Sequence, residues 1–105
     1  MKPSTAIEIL TMFGFCVTRC NAGKVRVPGG WMHLAEKGWS DVFGFHRLTG
    51  MLCAVECKEG KDKPRQEQIE SLNAVERVGG LAVVAWTDQD LLDAIRAKKI
   101  CKEKA

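Results

Sequence analysis

At 105 residues, with 46% hydrophobic and 28% charged side chains, the chain has room for one modest core, which excludes a disordered segment and a multidomain assembly. A net charge of +3 is too mild to establish a nucleic-acid partner; the basic excess lies in residues 1–63, with 9 positive and 6 negative charges, while residues 64–105 carry 7 of each. Five cysteines are an odd number without a signal peptide, and Glu8 interrupts the N-terminal apolar run, so neither a secretory leader nor a membrane span is read there and a reduced, cytoplasmic chain is expected.

Thr5 to Gly14 reads as a helix. Thr5-x-x-Glu8 fits a capping box, Ala6, Ile9, Leu10 and Phe13 share an apolar stripe, and Gly14 suits a terminator. Phe15–Asn21 alternates weakly and reads as a strand. Residues 22–37 are the least legible: Val25-Arg26-Val27 reads as a short extended piece, Pro28-Gly29-Gly30 as a break, and Trp31 to Lys37 as a loop or a single helical turn.

Val42–His46 and Met51–Cys57 are apolar runs joined by Arg47-Leu48-Thr49-Gly50, the pattern of a β-hairpin. With either a two-residue or a four-residue loop, Asp41 falls opposite Glu56, and opposed residues share a face with Cβ atoms roughly 5 Å apart. Lys58, two places after Glu56, joins that face. Two carboxylates about 4 Å apart repel by on the order of 4 kcal/mol at an effective dielectric near 20, and a divalent cation would convert that repulsion into binding. A bulge at Thr49-Gly50 would shift the register by one and part the acids. Both faces of the hairpin are apolar, Phe43, Phe45, Leu52 and Ala54 on one and Val42, Met51, Cys53 and Val55 on the other, which predicts a sheet covered by helices on both sides.

Glu59–Lys63 is a charged loop. Pro64 suits the first turn of a helix running to Val78, ended by Gly79-Gly80, with Ile69, Leu72, Val75 and Val78 as its buried face and Gln68 one step aside. Leu81–Trp86 is a buried strand, parallel to Met51–Cys57 through a right-handed crossover. Thr87 or Asp88 caps a last helix through Leu91, Leu92 and Ile95, followed by a basic tail from Arg96. The order is α-β-β-β-α-β-α, a mixed sheet with helices on both faces.

Gly38-Trp39-Ser40-Asp41, Glu56-Cys57-Lys58 and Gln68 together resemble the PD-(D/E)XK nuclease superfamily. Within it, the chain looks most like the virus-type replication-repair nuclease (VRR-NUC) domain in its minimal, stand-alone phage form. Arg19-x-Asn21-x-Gly23 resembles that family's segment after the first strand, and Gly79–Val84 resembles its last strand. Ser40 stands where the superfamily name has proline, a change expected to alter turn stiffness more than chemistry. The resemblance implies a restriction-endonuclease-like αβββαβ core, hydrolysis of DNA phosphodiesters dependent on Mg2+ or Mn2+, action on branched DNA such as Holliday junctions or flaps, and a homodimer.

The same resemblance assigns roles. Asp41, Glu56 and the backbone carbonyl of Cys57 would ligate the metal, as hard cations favour oxygen; the bland alternative is a hairpin mouth with two solvated acids. Lys58 would orient the attacking water or neutralise the developing phosphorane, or else form an ordinary salt bridge. Gln68 would hold a water or a metal ligand, or else bond free backbone groups at a helix start. Glu8 would reach the metal through water, or else only complete its capping box. Arg19, Asn21, Lys24 and Arg26 would touch the DNA backbone, or else form a solvated basic loop, and the tail lysines are expected to be solvated.

Other patterns carry less. Cys16/Cys20 and Cys53/Cys57 lie at i, i+4 inside apolar strands and read as core thiols, since zinc ligands of this spacing sit on turns. His46 beside the hairpin turn is expected to be exposed. Gly38-Trp39-Ser40-Asp41-Val42 lacks the second glycine of a nucleophile elbow. Two rival functions share the fold: a non-catalytic nucleic-acid-binding module, and a sequence-specific restriction-like nuclease, for whose base-reading insertion the chain leaves little room.

Overall fold

The computed structural model describes residues 1–20, 24–33 and 38–102, with the side chains of 24–27 and 31–33 left aside. The elements run α1 (Pro3–Met12), β1 (Phe15–Arg19), β2 (Lys24–Val27), β3 (Gly30–His33), β4 (Val42–His46), β5 (Leu52–Cys57), α2 (Gln66–Arg77), β6 (Leu81–Ala85) and α3 (Asp88–Ala97). Strands β1, β4, β5 and β6 form one mixed sheet in that order. The first two neighbour pairs are antiparallel and β5–β6 is parallel. The expected αβββαβ core is therefore present, with β2 and β3 added between β1 and β4 as a separate antiparallel ribbon.

Helices cover both faces. Ala6, Ile9 and Leu10 of α1 and Leu91 and Ile95 of α3 pack with Phe15, Val42, Cys53, Val55, Leu81 and Ala85 in the main core. On the opposite face Leu72 and Val75 of α2 pack on Ala54, with Phe43, Ala82 and Val84 around them. Glu56, two residues after Ala54, therefore points to the α2 side. No helix among the described residues is long and apolar enough to cross a membrane.

The hairpin keeps the expected register: Val42 pairs Val55, Phe43 pairs Ala54, Gly44 pairs Cys53 and Phe45 pairs Leu52. His46 N donates to Met51 O at 2.8 Å and Gly50 N to His46 O at 2.9 Å, so residues 47–50 form the turn and no bulge intervenes. Gly50 closes it in the left-handed region at φ +76°. Gly44 is fixed by the neighbouring strand, because a Cβ there would lie 2.1 Å from Cys16 O and 2.7 Å from Val17 Cα.

Several expectations are corrected. Helix α1 starts at Pro3 and not at Thr5. Proline fits the first helical position, and the Lys2 cap makes no side-chain hydrogen bond, so Thr5-x-x-Glu8 is not a capping box. Helix α2 starts at Gln66, two residues after Pro64, because the Gln68 side chain caps Arg65 N. Its buried face is Gln68, Leu72 and Val75, with Ile69 and Val78 exposed. Val25–Val27 is extended as expected, within strand β2, and Pro28-Gly29 is a turn, but Gly30–His33 is a strand paired with β2 and not the end of a break and the start of a loop or helical turn. The Thr87 cap of α3 is as expected, with Thr87 Oγ1 accepting from Asp90 N.

His46 is buried and not exposed. Its Nδ1 accepts from Leu48 N at 3.2 Å, so Nε2 carries the hydrogen and donates to Phe13 O at 2.9 Å. Of the five free cysteines only Cys53 lies fully in the core; Cys20 and Cys57 are half-buried, while Cys16 and Cys101 are exposed.

Candidate metal and phosphodiester site

The carboxylate end of the hairpin is built by three elements. β5 ends at Cys57 and supplies Glu56, the segment entering β4 supplies Asp41, and the first turn of α2 supplies Gln68. Ser40 is buried and its Oγ donates to Val42 O at 2.9 Å. A hydroxyl anchor thus holds the turn that leads into β4. Gly38, at φ +103°, passes so close to α2 that a Cβ would meet Glu67 O at 3.0 Å. This close approach joins the Asp41 segment to the helix that carries Gln68.

Asp41 lies one residue outside the regular ladder. Its Oδ2 accepts from Cys57 N at 2.8 Å, and its carbonyl accepts from Cys20 N at 2.7 Å. The N–H and C=O of one residue in an extended strand point to the same side, so the Cys57 carbonyl is directed toward the Asp41 side as well.

Glu56 is only 2% exposed. Its Oε1 accepts from Gln68 Nε2 at 3.0 Å and lies 3.5 Å from the Lys58 ammonium. Its Oε2 is buried and has no hydrogen-bond partner. Burial first, and then the neighbouring Asp41 carboxyl, push the Glu56 carboxyl up to about 7 against the pull of Lys58. A neutral Glu56 removes the repulsion, and so does a cation.

Gln68 bonds a free backbone group at the helix start, as one of its two expected readings had it, and also reaches Glu56. Its Oε1 accepts from Arg65 N at 2.8 Å, which caps α2 and leaves the amide end facing Glu56. Lys58 is largely buried and pairs with Glu56, and its backbone N donates to Ala85 O at 3.0 Å. Arg19 ends β1 opposite Val42 and is close enough for its charge to lower the Cys57 thiol, which burial and the Asp41 charge push up to about 11. Glu8 is exposed on α1, away from the buried stripe of Ala6, Ile9 and Leu10. Asn21 and the side chains of Lys24 and Arg26 lie outside the described residues.

The donor set fits Mg2+ or Mn2+. Among the described residues no three His, Cys, Asp or Glu side chains form a metal-holding group, but hard cations of this kind need only one or two carboxylates with water and phosphate oxygens. Asp41 and Glu56 would supply two carboxylates and the Cys57 carbonyl a third oxygen; the buried Oε2 of Glu56 takes no hydrogen bond from an N–H or hydroxyl, and either a proton shared with Asp41 or a cation would satisfy it. Ser40 as an anchor and Arg65 N as the group that orients Gln68 emerge only from the fold; the available signal for the first was a hydroxyl two residues after Gly38. No protein-family model matches the chain, and no curated protein matches it significantly.

Proposed function

We propose that the protein is a metal-dependent DNA endonuclease of the VRR-NUC type, cutting phosphodiester bonds in branched DNA. The observation that carries this reading is the convergence of Asp41, Lys58 and Gln68 on the buried Glu56 carboxylate, whose Oε1 takes the Gln68 bond and the Lys58 pair while Asp41 raises its proton affinity. Asp41, Glu56 and the Cys57 carbonyl would hold Mg2+ or Mn2+, which when bound activates water and stabilises charge on phosphate oxygens.

The remaining roles belong to the chain. Lys58 brings a positive charge to the developing phosphorane and to the water that attacks it, while Gln68 and Lys58 hold Glu56 Oε1 so that Oε2 is the free acceptor. Cys57 N holds Asp41 in the matching orientation. Arg19, at the same end of the sheet, supplies a phosphate contact, and Asn21, Lys24 and Arg26 are proposed to extend it; Glu8 would act only through water. The preference for junctions or flaps rests on the resemblance alone. A homodimer draws support from the exposed apolar pair Phe45 and Leu52.

The test is cleavage of a synthetic four-way junction, a flap and a plain duplex with Mg2+ or Mn2+. Wild type should cut the branched substrates and Lys58→Ala should lose the activity. Equal cutting by both proteins removes Lys58 from the mechanism, and no metal-dependent cutting of any substrate removes the nuclease reading.

A further inference from the structure

Two tryptophans stand at the carboxylate end of the sheet, one beside each of its acidic and basic poles. Trp39 precedes Asp41 by two residues and is 42% exposed; its ring sits edge-on against Phe43, centroids 4.9 Å apart at 85°. Trp86 follows Ala85, the register partner of Cys57 and the acceptor for Lys58 N, and is 37% exposed. Its Nε1 donates to Asp62 O at 2.9 Å.

Both rings are fixed by protein contacts yet keep apolar surface in water. Neither the main core nor the α2 cluster contains them. The polar atom of Trp86 is already used, so what its indole offers a partner is a flat π surface and not a hydrogen-bonding edge. Two cations stand nearby, Arg19 and the Lys58 paired with Glu56, beside the carboxylates of Asp41 and of Asp90, which accepts from Trp86 N at 2.9 Å. A flat unsaturated group on an anionic chain is what these features complement together. In a duplex the base faces are occupied by their neighbours, whereas in an unpaired strand they are open to stack on aromatic side chains.

We infer that Trp39 and Trp86 are stacking platforms for unpaired bases on either side of the phosphate held at Asp41, Glu56 and Lys58. The inference rests on the proposed DNA partner and adds its substrate class: strands that are single-stranded next to the bond to be cut. Stacking of this kind tolerates any base, so it sets preference for unpaired structure and not for sequence.

Binding without divalent ion separates this inference from cleavage. In a Trp31→Phe background, so that emission comes from Trp39 and Trp86, a short oligothymidylate should quench indole fluorescence. Trp39→Leu and Trp86→Leu, which keep apolar bulk, should each weaken its binding by roughly fivefold or more. Trp39→Phe and Trp86→Phe should recover most of that loss, and affinity for blunt duplex should stay within about twofold throughout. Unchanged oligothymidylate binding in the Leu variants, absent quenching, or an equal loss on duplex would each overturn the proposal. Where a Leu variant melts below the assay temperature, quenching of the parent protein decides. Failure of cleavage with intact stacking would remove the nuclease reading only, while Lys58-dependent cleavage without stacking would remove this one only.

Discussion

Gln68 Nε2 lies 3.0 Å from Glu56 Oε1 while its own Oε1 is held by Arg65 N, so one carboxamide ties the start of α2 to the end of β5. The two bonds can be separated by substitution. Gln68→Leu removes both and should destabilise the protein by about 1–3 kcal/mol, since it leaves a helix-start N–H and a buried carboxyl oxygen with fewer partners. Gln68→Glu keeps an acceptor for Arg65 N but sets a carboxylate against Glu56. Its loss of stability should therefore be larger at pH 8 than at pH 5, measured by urea unfolding at the two values.

Glu56 makes folding stability depend on pH. Below its ordinary value of 4.5 the group is protonated in folded and unfolded chains alike. As pH rises from 4.5 towards 7, only the unfolded chain gives up its proton, so stability falls through that window and levels off above it. Glu56→Gln should flatten this slope and raise Tm at pH 8. A slope that survives the substitution would place its origin elsewhere.

Mn2+ should raise the Tm of the wild-type protein at pH 8 and leave Glu56→Gln and Asp41→Asn unmoved. Asp41→Asn should itself raise Tm without metal: its amide oxygen can still accept from Cys57 N, while the charge beside Glu56 is gone. A wild-type Tm insensitive to Mn2+ would argue against the carboxylate pair as a cation site.

The thiols should react in three tiers with a maleimide or disulfide reagent. Cys16 and Cys101 are exposed and should label first. Cys20, raised by burial and by Asp41, and Cys57, at about 11, should label slowly. Cys53, which burial pushes up to about 12, should label only on unfolding. Mass mapping of a labelling time course reads the order directly, and early modification of Cys53 would contradict its place in the core.

Gly44→Ala should be far more damaging than Gly38→Ala. At Gly44 a Cβ meets immovable backbone at 2.1 Å, so the β1–β4 pair must separate and a loss of several kcal/mol or failure to fold is expected. At Gly38 the cost is a left-handed backbone and a 3.0 Å approach to Glu67 O, about 1–3 kcal/mol, and it falls on the Asp41 segment. Gly38→Ala should accordingly weaken the Mn2+ response of Tm more than global stability.

Much of this was legible in the sequence because it depends on local repeats. The period-two pattern of residues 42–57 fixed the hairpin faces, and the sum of paired positions brought Asp41 near Glu56. The Thr87–Asp90 cap was equally local. The phase of α2 was not legible. Its apolar residues Ile69 and Val78 suggested one stripe, but the bond from Gln68 to Glu56 rotates a polar residue inward and leaves both of those out. His46 looked exposed because burial there depends on Phe13 O and Leu48 N, contacts that no periodicity encodes. The extended piece at Val25–Val27 was legible, but its pairing with Gly30–His33 was not, because a four-residue strand leaves little pattern.

That ribbon leaves the sheet after Arg19 and the chain returns at Asp41, two points held side by side by the Arg19–Val42 pair and the Cys20–Asp41 bond. β1 and β4 are thus the arms of an ordinary hairpin whose loop has grown into a two-stranded insert. Replacing residues 21–37 by a short turn would leave every strand pair of the main sheet formally intact. The insert is consequently an exchangeable part: ribbons of other lengths and charges could be grafted at the same two points without redesigning the sheet that positions Asp41 and Glu56.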